Sequence, residues 1–153
     1  MRLLAQAKMG GSSMFAAVPL LALPVIIYNL VALTLAGGFR AMDASVRMTD
    51  KLFTIHMTSR AEWAVSLGDL LLAASLVVLF VELLKSTTSR RIAIINHSLS
   101  MVLFILCLVE FLLFPAFATS TFFLVTLMVL LDVLAGFIVT IVAARRDVDF
   151  GDH

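Results

Sequence analysis

The chain has 153 residues, 62% of them hydrophobic, with a mean hydropathy of +1.12 and a formal net charge of +1. Soluble domains are about 45–50% apolar, so the composition excludes an ordinary water-soluble globule. A charge this small, with no basic patch, gives no ground for a nucleic-acid partner.

Charged residues fall in four clusters, at 2–8, 40–62, 82–91 and 145–152, and long apolar runs lie between them. Crossing a bilayer as an α-helix takes about 20 apolar residues. Four runs reach that length, at about 14–38, 63–84, 92–115 and 121–144. The fold class expected is all-α: a single-domain integral membrane four-helix bundle over residues 1–153.

The first run follows Arg2 and Lys8, as a signal peptide would, but it is far longer than the 7–15 residues of a signal h-region. It reads as an anchor, with Thr34-Leu35-Ala36 as an alternative cleavage signal. Pro19 and Pro24 lie inside it, and each removes a backbone donor. In lipid the freed carbonyls need a neighbouring helix, so this span is expected to be kinked and packed against the others. Asn29 lies near its middle.

Residues 39–62 form the longest polar connection. Val46, Phe53 and Met57 recur at helical spacing, as do Met48, Leu52 and Ile55. The expectation is a short amphipathic helix on the outer surface between spans one and two, with Asp43 and Thr49 as candidate N-caps. The second span contains Asp69 near its outer end and Glu82 one turn from its inner end. Lys85 follows Glu82 by three residues, the spacing of a helical ion pair.

The third span carries Asn96, Ser100, Leu103, Cys107 and Glu110 along one face. A polar stripe on a greasy helix points toward protein rather than lipid. Pro115 ends this span in a tight outside turn, Phe114-Pro115-Ala116-Phe117. The fourth span carries Asp132 near its middle, with Gly136 and Ala143 permitting close helix approach. The tail from Asp147 to His153 is short and polar.

Orientation follows from lysine and arginine. With the N-terminus inside, seven such residues (Arg2, Lys8, Lys85, Arg90, Arg91, Arg145, Arg146) are cytoplasmic and four (Arg40, Arg47, Lys51, Arg60) are outside. The positive-inside rule then gives N-in and C-in. The expected location is the inner (plasma) membrane of a bacterium.

Ionisable groups inside a bilayer are costly, so each is a candidate for function. Asp69 and Glu110 are expected at similar depth, where they could share a proton or hold a cation with His56, or each could bond to a backbone carbonyl, a hydroxyl or Arg60. Asp132 is expected to meet Asn29, either as interhelical glue or as a proton or cation site. His97 reads as an interfacial histidine. No second membrane-embedded histidine exists to complete a haem site. No hydrolase, zinc-protease, nucleotide or dinucleotide motif is present, so neither enzyme activity, cofactor nor metal is expected. His56, Glu62 and Asp69 would be the outside candidates for lipid head-group chemistry. The lone Cys107 excludes an internal disulfide and CxxC exchange, and reads as a small buried hydrophobe.

The span count is that of small multidrug transporters, but their first span carries an embedded glutamate and this one carries no acid. The leading expectation is a structural or accessory subunit, or assembly factor, that packs in the lipid against other membrane subunits or itself. The alternative is a proton- or cation-coupled carrier or channel subunit using Asp132, Glu110 and Asp69.

Overall fold

A computed structural model describes the backbone of residues 18–34, 37–38, 44–86 and 90–149, and the side chains of these except 86, 90–93, 140 and 143–149. Its elements in chain order are α1 (Ala22–Thr34), α2 (Ala44–Thr49), β1 (Lys51–His56), β2 (Glu62–Ser66), α3 (Leu67–Ser86), α4 (Arg90–Leu113), a 3-10 turn (Pro115–Phe117) and α5 (Ser120–Asp149). Among the described residues, three helices are long and apolar enough to cross a membrane, through Leu67–Lys85, Ile94–Leu113 and Ser120–Val139. They fit a membrane protein, and most of their large apolar side chains point outward, as lipid-facing positions do.

The first apolar run is shorter as a helix than its composition suggests. α1 has 13 residues, about 20 Å at 1.5 Å per residue. Its prolines explain where it starts. Pro19 stands before the helix, in turns closed by Ala22 N to Pro19 O (3.1 Å) and Leu23 N to Leu20 O (2.9 Å). Pro24 sits in the first turn, where a backbone donor has no intrahelical acceptor to lose. Both prolines therefore stand at the entry to α1 rather than in its interior, and both are buried.

The expected all-α fold also needs correction between α1 and α3. In place of an amphipathic helix there is one short helix, α2, followed by an antiparallel hairpin. In the hairpin Phe53 pairs with Val65, Thr54 with Ala64, Ile55 with Trp63 and His56 with Glu62. The reason is a period-two pattern, Phe53-Thr54-Ile55-His56-Met57, rich in residues that suit a pleated surface. The tip is a three-residue loop. Arg60 N bonds Met57 O and Met57 N bonds Ala61 O, both at 2.9 Å, and Arg60 has φ +66°. A three-residue loop ending in a left-handed residue is a common hairpin connection. Thr49 ends α2 and returns its hydroxyl to Ser45 O at 2.9 Å; Asp43 lies outside the described residues.

α3 begins at Leu67 rather than Trp63 because Ser66 and Asp69 form a capping box. Asp69 accepts from Ser66 N (2.9 Å) and Ser66 Oγ (2.7 Å), and Asp69 N donates to Ser66 Oγ (3.2 Å). This reciprocal arrangement satisfies orphan donors at a helix start. α4 stops at Leu113, ahead of Pro115, and Phe114 begins the turn into α5.

α5 is central and packs along both α4 and α3. Gly68 makes close approach possible near the hairpin: a Cβ there would stand 2.7 Å from Thr121 Oγ1 and 2.8 Å from Met48 O. α1 crosses this assembly. Tyr28 is fully buried and donates to Ala116 O at 2.9 Å, with Thr119 Oγ1 at 2.7 Å. Its ring sits 5.5 Å from Phe117 and 4.7 Å from Phe122, forming an aromatic cluster with both.

Candidate functional site

Helices α3, α4 and α5 converge on a buried polar network. Glu82, on α3, has no exposed surface. It accepts from Leu20 N at 2.6 Å, from Asn96 Nδ2, and from Lys85 Nζ at 3.4 Å. Lys85 Nζ also donates to Val18 O at 2.8 Å and to Asn96 Oδ1 at 3.2 Å. An ammonium has three protons, and all three find acceptors here. Placing an ionised group in hydrocarbon is expensive unless it is paired and hydrogen-bonded; this pair meets both conditions. The segment before α1 is thereby tied to the end of α3.

The network continues across α4. Ser100 Oγ lies 3.1 Å from Asn96 O and donates to Asp132 Oδ2 at 2.5 Å. Asp132 is fully buried on α5. His97, one residue from Asn96, faces the same carboxylate, with Nδ1 3.9 Å from Asp132 Oδ1. That separation is beyond hydrogen-bonding distance. His97 Nδ1, His97 Nε2 and Asp132 Oδ1 are all buried with no hydrogen-bond partner among the described residues. Gly136, one turn beyond Asp132, supplies the room for the ring. A Cβ at Gly136 would fall 1.8 Å from His97 Cγ, 2.1 Å from Nδ1 and 2.2 Å from Cδ2.

The expected pairings are rearranged. Asp132 meets Ser100 and faces His97, while Asn29 donates to Glu110 Oε2 at 3.3 Å and to Val25 O at 3.1 Å. Asp69 is exposed and occupied in capping α3, so it does not join Glu110. His56 pairs with Glu62 at 3.4 Å on the exposed hairpin. Gly136 does serve close packing, against α4 of its own chain. The side chain of Ala143 lies outside the described residues. The stripe Asn96, Ser100, Leu103, Cys107 and Glu110 faces inward.

The expected Glu82–Lys85 pair forms at 3.4 Å, and Asn96 and Leu20 join it; His97 is buried beside this network. A depth argument reaches the same arrangement. In an antiparallel pair folded about the 115–117 turn, residues equally far from the turn lie at equal depth, which matches Ser100 to Asp132 and brings His97 within one residue of the level of Gly136.

Chemically, the network holds two carboxylates, an ammonium and an imidazole, which can keep charges compensated and pass a proton between neighbours. Among the described residues no group of three or more His, Cys, Asp or Glu side chains could hold a metal ion. Comparison with known proteins gives no match: no family model fits the chain, and no curated protein or solved structure is similar to it.

Proposed function

We propose that this chain is a small four-span membrane protein, N-in and C-in in a bacterial inner membrane, that acts as a structural or accessory subunit or assembly factor. Support for four spans comes from α1. Leu20 lies against Glu82 near one end of α3, and Tyr28 lies against the turn near the other, so α1 travels along the others although its regular part is short. The observation that carries the subunit reading is the closure of the Glu82–Lys85–Asn96 network. Glu82, Lys85, Asn96, Ser100 and Asp132 gather, and most of their bonding capacity goes into tying helices together. Outside the network the helices present apolar surface suited to lipid or to other transmembrane helices.

The test is extraction in native lipid or mild detergent with chemical cross-linking. A stoichiometric protein partner or a discrete homo-oligomer is the expected result. Recovery of a lone monomer under all such conditions rules the subunit reading out.

A second reading rests on a separate observation, the three unpartnered polar atoms of Asp132 and His97. Ser100 has one hydroxyl proton for two acceptors, Asp132 Oδ2 and Asn96 O. A proton on Asp132 supplies the missing donor, and His97 is the adjacent group able to take it. This reading makes the chain a proton- or cation-coupled carrier or channel subunit, with Asp132 and His97 as its centre in place of Glu110 and Asp69. Liposomes holding a pH-sensitive dye test it. Proton or cation flux lost in Asp132→Asn is expected; absence of flux in the unsubstituted protein under an imposed gradient removes the carrier.

A further inference from the structure

The hairpin carries a surface that the helices leave uncovered. Its register places Phe53, Ile55, Met57, Ala61, Trp63 and Val65 on one face, and Thr54, His56, Glu62 and Ala64 on the other. The first face is wholly apolar. Val65 is buried, but Phe53 is 46% exposed, Ile55 40%, Met57 46% and Trp63 52%. A two-stranded hairpin is marginal by itself in water, and a contiguous exposed apolar face marks a surface that something covers.

We propose that this face rests on the phospholipid interface, with Trp63 at head-group level. The connection to α3 names the cover. β2 ends at Ser66 and α3 starts at Leu67, with no residue between them. The apolar stretch Leu67–Lys85 has 19 residues, a rise of about 28 Å, which matches a hydrocarbon core of about 30 Å. Leu67 therefore stands at the hydrocarbon edge. Trp63 is four residues earlier, at most about 13 Å away along an extended chain. That is the depth where indole rings gather, with the apolar body in lipid and the N–H toward water. The opposite face suits water, since His56 and Glu62 pair there with both side chains largely exposed. The hairpin thus does for this protein what an amphipathic surface helix does elsewhere, with a period of two in place of 3.6.

Trp63 is the only tryptophan in the chain, so indole emission, excited at a wavelength that Tyr28 does not absorb, reports on this face alone. The experiment uses the full-length protein in phosphatidylcholine nanodiscs. The expected result is emission shifted to the blue of a water-exposed indole, quenched by lipids brominated near the top of the acyl chain, and little affected by iodide. Combining Trp63→Phe with Ala64→Trp moves the single indole to the exposed opposite face; emission should shift to the red and iodide quenching should rise. Strong iodide quenching of Trp63 in the unsubstituted protein overturns the proposal. So does blue-shifted emission that brominated lipid leaves unchanged, which marks a protein partner or a second copy on this face.

Discussion

Replacing Gly136 by alanine puts a methyl group where the His97 ring stands. The added carbon would lie 1.8 Å from His97 Cγ, whereas non-bonded carbons rest about 3.5–4.0 Å apart. Ring and helix must separate by roughly 2 Å, in an interior where overpacking costs about 1–3 kcal/mol. Alanine recovers up to about 1 kcal/mol through its higher helix propensity. The net expected loss is about 0–2 kcal/mol. In a His97→Ala background the obstruction is gone, so Gly136→Ala should be stabilising by up to about 1 kcal/mol. The coupling between the two sites is then about 1–3 kcal/mol, within the range that contacting residues show. Reversible unfolding in mixed detergent micelles, followed by helical circular dichroism, measures all four corners of the cycle. An equal effect of Gly136→Ala in both backgrounds would refute the seating of His97 against α5.

Three further predictions follow from the same packing. Glu82→Ala leaves Lys85 and Asn96 without their shared acceptor and should cost about 3–5 kcal/mol, the range for removing one partner of a buried pair; Glu82→Gln, which keeps an acceptor oxygen, should cost less in the same unfolding assay. Tyr28→Phe removes the bond to Ala116 O and should cost about 1 kcal/mol, with hydrogen exchange rising first in the 115–119 turn. Arg60→Gly relieves a left-handed residue that carries a Cβ; that conformation costs about 1 kcal/mol or more, so exchange protection across β1 and β2 should increase.

Hydrophobic run length was enough to mark membrane helices, because a bilayer sets the length of whatever crosses it regardless of packing detail. The breaks at Pro115 and the inward-facing stripe on α4 were also legible, since each depends on local chemistry or on the period of one helix. The hairpin was legible in principle. Phe53 to Met57 alternates strictly, but apolar residues at helical spacing overlap the same stretch, and a short segment satisfies both periods. Ser66 and Asp69 likewise have the spacing of a capping box. Which polar groups meet was another matter. Asp132 had Asn29, Ser100 and His97 within plausible depth, and composition does not choose among them. Only the tertiary structure does, because the angular position of each helix about its own axis is set by where neighbours can approach. Gly136 admits the His97 ring and so turns Asp132 toward α4, while Tyr28 fixes α1 so that Asn29 faces Glu110. Helix length is a property of one segment and its solvent, whereas helix rotation is decided by all the neighbours at once.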